Sequence, residues 1–156
     1  MQYIIANNVN HNEHTLSKLP VNPDDTIIVF NCYLLNKLPK WDCHIIWMPR
    51  DIKKFGVTRL KEMADYLKPE MTYICYDKNN DAMPGIADQL GIDYEIKKAE
   101  IGNSHFIPST GFLAAKMFPD AVCVGFDHVP GYDNNNYHNY SYEHRYIKNN
   151  RKNILL

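Results

Sequence analysis

The side chains best suited to acid–base chemistry lie near the end of the sequence, in a polar aromatic loop. His138 lies there, and imidazole is the type of side chain best suited to take up and release protons near neutral pH. His128, which follows a Gly-Phe-Asp turn, is the competing candidate for that role. Further groups that accept or donate hydrogen bonds or protons are Asp127, Tyr132, Tyr137 and Glu143. This composition predicts proton transfer involving a bound substrate.

Just before this loop, a second segment has the features of an anion site. Pro108 ends an extended run, and Ser109, Thr110 and Gly111 open a predicted helix over 109–118. A helix start leaves unpaired N–H groups and the positive end of the helix dipole, and two hydroxyls lie beside them here. We expect these three residues to contact a phosphate. The alternative is that Ser109 and Thr110 only cap the helix.

Two predicted strands near the beginning of the chain end in asparagine. The first is followed by Asn7 and Asn8, and the second is followed by Asn31. Ligands of open α/β sheets bind at the carboxyl ends of the strands, and these three amides are suited to hydrogen bonding there. The alternative for Asn7 and Asn8 is a tight turn, because Asn tolerates left-handed backbone angles.

The elements that must position these residues alternate along the chain. Apolar runs predict strands over 2–6, 26–31, 42–48, 72–76, 92–96 and 121–126. Helical patterns occupy 51–67, 82–90, 109–118 and about 141–150, and the basic tail is expected to fray. This alternation predicts a single α/β domain, Rossmann-like and three-layered, with a mostly parallel sheet. The ligand crevice is expected at the carboxyl ends of the first, second and sixth strands.

Composition excludes several classes of function. The net charge of −1 over 156 residues gives no footprint for nucleic acid or for an anionic membrane surface. No window approaches the ~20 apolar residues of a membrane span, and the first residues do not resemble a signal peptide, so a cytoplasmic location is expected. No DxD motif follows a strand, so no metal is expected.

The cysteines and a histidine pair have simple structural interpretations. The four cysteines have no CxxC spacing, and Cys75 and Cys123 are expected to be buried free thiols. His11 and His14 lack a third metal ligand nearby, so a solvated polar loop is expected there instead.

Several of these segments resemble the motifs of sialyltransferases, including bacterial lipooligosaccharide sialyltransferases. Pro-Ser-Thr-Gly-Phe-Leu-Ala (108–114) and Val-Cys-Val-Gly-Phe-Asp (122–127) resemble the small sialylmotif. Tyr-Asp-Asn (132–134) resembles the end of the third motif, and the pair His138 and Glu143 resembles the very small motif. Ile-Ile-Ala-Asn-Asn (4–8), with Thr-Ile-Ile-Val-Phe-Asn (26–31), resembles the large sialylmotif.

The resemblance implies a variant GT-A-like fold and a role in lipooligosaccharide biosynthesis. It implies transfer of sialic acid, or a related sugar, from a CMP-sugar to a glycan hydroxyl, with inversion and without a metal or other cofactor. His138 would be the base, and Asn7 and Asn31 would bind the donor nucleotide. Tyr132 and Tyr137 would donate to its phosphate, and Glu143 would hold its own helix in place or help the donor site.

Two alternatives stay open. Ala6 stands where the family has Gly, and Val29 or Phe30 where it often has Arg, which favours a non-catalytic nucleotide- or sugar-binding module. An unrelated α/β domain with accidental matches is the other. A homo-oligomer is compatible with either, since a second subunit could cover an open sheet edge.

Overall fold

The structure is a computed structural model that describes residues 1–8, 10–33, 35–50, 52–75, 82–98, 108–126 and 138–155. Its centre is a sheet of seven strands, all paired in parallel. The strands are β1 (Gln2–Ile5), β2 (Thr26–Phe30), β3 (His44–Met48), β4 (Glu70–Cys75), β5 (Tyr94–Lys98), β6 (Val122–Val124) and β7 (Asn153–Ile154). The helices are α1 (Glu13–Leu16), α2 (Ile52–Leu67, interrupted at Gly56), α3 (Ala82–Leu90), α4 (Thr110–Met117) and α5 (Tyr140–Asn150).

The strand order is β5-β4-β3-β2-β1-β6-β7. The chain therefore builds outward from β1 to β5, crosses back, and continues on the other side of β1 with β6 and β7. The order reverses between β1 and β6, and ligands of such sheets bind outside the carboxyl ends of the strands at this switch point. The predicted crevice at the first, second and sixth strands corresponds to the neighbours β2, β1 and β6.

Apolar side chains cover both faces of the sheet and form two cores. One core joins alternate strand residues such as Ile5, Val29 and Trp47 to residues of α1, α2 and α3. The other joins the residues between them, such as Ile4 and Ile28, to residues of α4 and α5. Successive strand residues point to opposite faces, so near-continuous apolar runs are required by a sheet buried on both sides. The α/β prediction with helices on both faces is confirmed.

The main departures from the predicted elements are at the edges of the sheet. The strand predicted over 92–96 is displaced to 94–98, and the sheet gains β7 in the tail that was expected to fray. There, Cys123 N donates to Lys152 O and Gly125 N donates to Ile154 O, both over 2.8 Å. A two-residue strand has no periodicity of its own, so only its pairing with β6 identifies it.

The prediction of a solvated loop at both His11 and His14 is wrong for His11. His14 is exposed in α1, whereas His11 is buried and its Nδ1 lies 2.9 Å from Ala6 O. The imidazole occupies the space above Gly125, where an added Cβ would lie 2.1 Å from His11 Nε2. Gly125 also has a φ of +70°, so both its backbone and its missing side chain are needed.

Cys123 is a buried free thiol, as expected, and burial raises its pKa to about 11. Cys32 and Cys43 are also free, and the side chain of Cys75 lies outside the described set. A thiol with a raised pKa is a poor nucleophile, so packing is the role of Cys123. Separately, none of the helices in the described part of the chain is both long and apolar enough to cross a membrane.

Replacing Gly125 with alanine is expected to destabilise the fold by at least about 1–2 kcal/mol, because the left-handed backbone opposes a side chain and His11 must move. Gly85→Ala is the matched control. Gly85 lies in α3 with no atom within 4 Å of an added Cβ, so that variant should gain about 0.5–1 kcal/mol. Urea denaturation measures both, and equal effects would contradict the packing of His11 on Gly125.

Candidate functional site at the starts of helices α4 and α5

Helix α4 begins where the sequence predicts an anion site. Ser109 is its N-cap, and Ser109 Oγ accepts the Phe112 N–H over 3.2 Å. Pro108, just before it, accepts a hydrogen bond from Arg50, which follows β3. Since Arg50 comes directly after the carboxyl end of β3, the start of α4 lies at the carboxyl edge of the sheet. Because its Oγ accepts the Phe112 N–H, Ser109 has the capping role that was proposed as the alternative.

The buried carboxylate of Glu143 holds Ser109 in place. Ser109 N donates to Glu143 Oε1 over 2.8 Å, and Ser109 Oγ donates to Glu143 Oε2 over 2.6 Å. Glu143 lies in the first turn of α5, so these bonds between residues 34 positions apart join the starts of the two helices. The carboxylate also sits at the positive end of the α4 dipole, where a negative charge is stabilised.

Opposing effects act on the ionisation of Glu143. Burial raises the pKa of the Glu143 carboxyl, while the two hydrogen bonds from Ser109 and the electrostatic influence of His138 and Arg50 act to lower it. The net direction is upward, because desolvation penalises the charged form of a buried acid more than these partners stabilise it. Arg50 donates to the carbonyl of Pro108, the residue before Ser109, and His138 lies two residues before α5, so Glu143, Arg50 and His138 form one polar cluster at these helix starts.

Arg50 connects this cluster to the end of β2. Arg50 Nη1 donates to Pro108 O over 2.6 Å, and Arg50 N donates to Asn31 Oδ1 over 3.0 Å. Sequence reasoning missed Arg50, which stands after Pro49 with no motif around it. Its position after a predicted strand, at the same sheet edge as Asn31, was the available signal.

Asn31 has a structural role and retains one donor. Its φ of +54° is left-handed, which Asn tolerates, and its carbonyl accepts a hydrogen bond from Trp47 Nε1 over 2.8 Å. Its Oδ1 is taken by Arg50 N. Asn31 Nδ2 donates to none of the described residues, so this donor is available to a ligand at the edge of the sheet.

Asn7 and Asn8 lie at the switch point but differ in their bonding. Asn8 is buried, and its Nδ2 donates to Gly125 O over 2.9 Å, which fastens the end of β1 to the end of β6. Asn8 Oδ1 accepts the Asn10 N–H, as in the tight turn proposed for this segment. Asn7 Oδ1 is buried and accepts no hydrogen bond from any described residue. Asn7 is therefore the better ligand candidate of the two.

Thr110 and Gly111 supply the first backbone donors of α4. Their N–H groups meet no acceptor within the described ranges, as is normal for the first turn of a helix. Gly111 has a packing role as well, because an added Cβ would lie 2.9 Å from Phe30 Cζ and 3.1 Å from Phe126 Cε1. This close contact seats α4 on the end of β2 and brings its first turn beside the strand ends.

The aromatic side chains of α5 mainly pack. The rings of Tyr142 and Tyr146 meet the ring of Phe112 edge-on, at centroid distances of 5.9 and 5.2 Å. The ring of His138 lies 5.3 Å from that of Tyr140. Asp127, His128, Tyr132 and Tyr137, the remaining sequence candidates, lie outside the described residues.

A cavity of about 570 Å³ lies away from this cluster, between the end of α2 and the segment before β3. Its lining includes Trp41, Asp65, Tyr66 and Lys68, none of which belongs to the cluster. This cavity lies at the opposite end of β3 from Arg50.

Comparisons of this chain with protein-family models, curated proteins and solved structures give no match. The arrangement of the residues themselves must therefore carry any functional argument.

Replacing Glu143 with alanine removes both acceptors of Ser109 from a buried position. We expect a loss of about 1–3 kcal/mol in the free energy of unfolding, because partly buried donors lose their partners. Glu143→Gln should lose less, since an amide can accept from Ser109 N and still contact Ser109 Oγ. Equal losses in urea denaturation would contradict the importance of the hydrogen bonds.

The parent and Glu143→Gln should also differ in how their free energies of unfolding depend on pH. The folded-state pKa of Glu143 is raised, so its contribution to stability is fully present below its usual pKa and is lost as pH rises through the folded-state value. Glu143→Gln cannot ionise and lacks this loss. Its stability relative to the parent should therefore increase from about pH 4 to pH 7. A gap that stays constant over this range would contradict a raised pKa.

Proposed function

We propose that this protein is a sialyltransferase-like glycosyltransferase that uses a CMP-sugar donor and inverts the anomeric centre. The observation that carries the proposal is the convergence of Ser109, Glu143 and His138, three residues of the resembled motifs, on one polar cluster at the carboxyl edge of a parallel sheet. The motifs predict a shared site, and the start of α4, where the sequence predicts anion binding, belongs to this cluster.

The donor nucleotide would lie across the ends of β1 and β2. Asn7 Oδ1 and Asn31 Nδ2, an acceptor and a donor without partners among the described residues, suit the polar edges of cytosine or ribose. The phosphate would accept the Thr110 and Gly111 N–H groups at the start of α4. A monophosphate carries less charge than a diphosphate, so backbone donors and hydroxyls can stabilise it.

His138 would take the proton of the acceptor hydroxyl as its oxygen attacks the anomeric carbon. The bond between that carbon and the phosphate oxygen breaks, and its electron pair leaves with CMP. Attack from the face opposite the leaving group inverts the centre. Glu143, which lies close enough to His138 for their charges to interact, would stabilise the imidazolium that forms. Glu143 is thus a positioning residue in this proposal.

A non-catalytic binding module is the second candidate, and one observation favours it. The N–H and the hydroxyl of Ser109 both donate to the Glu143 carboxylate. Ser109 therefore has no donor left for a ligand. A negative carboxylate at the start of α4 also weakens the attraction of that helix end for phosphate. A binder with modest affinity and no turnover would fit these features.

Isothermal titration calorimetry with CMP and with CMP-sialic acid tests the shared part of both candidates. We expect both to bind, and the affinity to fall by roughly tenfold in Asn31→Ala, which removes a ligand donor. Thr15→Ala, which disrupts the exposed capping box of α1, is a control for general loss of stability. No binding of either compound by the parent would overturn both candidates.

Hydrolysis of CMP-sialic acid distinguishes enzyme from binder. Replacing His138 with alanine should lower turnover by about 10²–10⁴-fold while leaving CMP affinity within a few-fold, because a general base acts on the transition state. His44→Ala, an exposed histidine at the amino end of β3, should retain turnover. Binding without turnover in the parent would identify the non-catalytic module, and full turnover in His138→Ala would contradict the assigned base.

A further inference from the structure

Strand β5 forms one edge of the sheet and is the longer of the two edge strands. It spans five residues and pairs with β4 on one side only in the described chain, whereas β7 at the other edge has two residues. Tyr94 and Ile96 are 38% and 51% exposed, although both are large and apolar. An exposed edge of this length can pair with a strand of another chain.

The backbone of β5 divides into inward and outward residues. Met71 N of β4 donates to Asp93 O over 3.0 Å, so the odd-numbered residues of this segment direct their N–H and C=O groups toward β4. The even-numbered residues of β5 then direct theirs toward the open edge. These are Tyr94, Ile96 and Lys98.

The charges of β5 are arranged so that one antiparallel register of two copies is favoured. In a two-fold pairing centred on Ile96, Glu95 lies opposite Lys97 of the other copy, and Lys97 lies opposite Glu95. Shifting the centre to position 95 or 97 places two glutamates or two lysines face to face, which is unfavourable. Opposite residues must share a face of the sheet, so centres between residues are excluded.

The same register suits the geometry of the edge. Ile96 would form a hydrogen-bonded pair with Ile96 of the other copy, and Tyr94 with residue 98 of the other copy. Glu95 and Lys97 would form the non-hydrogen-bonded pairs, in which opposed side chains lie closer together. Within one chain, Lys97 Nζ already lies 3.2 Å from Glu95 Oε2, so the two copies would form a two-by-two square of alternating charges.

We propose that β5 is a self-association surface through which two copies of this chain pair antiparallel about Ile96 and join their sheets. The surface is distinct from the cluster at the starts of α4 and α5, so the proposal does not depend on the proposed function. A five-residue edge buries less area than a standard interface. We therefore expect a dissociation constant on the order of 10–100 µM.

Sedimentation velocity over chain concentrations from about 5 to about 500 µM brackets that range and tests the proposal. The parent should shift from monomer to dimer. Glu95→Lys and Lys97→Glu should each weaken self-association by roughly tenfold, because every opposed charged pair becomes a pair of like charges. The double variant Glu95→Lys/Lys97→Glu should restore the parent's dimer. Asp120→Lys, an exposed change of equal charge before β6, should dimerise like the parent.

Mixing the two single variants provides the sharpest test. The Glu95→Lys chain carries two lysines on this face and the Lys97→Glu chain carries two glutamates, so an equimolar mixture should form heterodimers while each alone stays monomeric. Heterodimers would also show that both variants fold. A parent that stays monomeric throughout, or single variants that dimerise as the parent does, would overturn the proposal. A mixture that remains monomeric would overturn the register.

Discussion

The candidate site depends on one interaction, the pair of hydrogen bonds by which Glu143 receives the N–H and hydroxyl of Ser109. The carboxyl is buried, and these bonds, together with His138 and Arg50, offset only part of the desolvation of its charged form. Because Ser109 caps α4 and Glu143 lies in the first turn of α5, the bonds fix both helix starts at one edge of the sheet. The candidate base, His138, is placed two residues before α5 and is positioned by the same contact.

Near the switch point, the ends of β1 and β6 are held together by a second set of contacts. Asn8 bonds to the carbonyl of Gly125, and the buried ring of His11 fills the space that a side chain at Gly125 would need. These contacts close part of the crevice that such a sheet normally opens to ligands. Asn7 Oδ1 and Asn31 Nδ2 have no hydrogen-bond partner among the described residues, so the proposed nucleotide would lie toward β2 and α4.

The sequence was sufficient to predict most of the fold but only part of the site. Apolar runs such as Ile27 to Phe30 predict buried strands, because both faces of the sheet are covered, and Ser109 before an apolar helical stretch predicts an N-cap. The contact of Ser109 with Glu143 spans 34 residues, and the burial of His11 depends on a glycine more than a hundred residues away. Such contacts have no local pattern, which is also why Arg50 and β7 were not predicted.

A crystal structure of the protein with CMP tests the proposed nucleotide site most directly. The account predicts the phosphate within hydrogen-bonding distance of the Thr110 and Gly111 N–H groups, with the nucleoside over the ends of β1 and β2 beside Asn7 and Asn31. The bonds between Ser109 and Glu143 should be retained. CMP bound elsewhere, for example in the cavity beside Trp41, or a crystal that takes up no CMP, would contradict it.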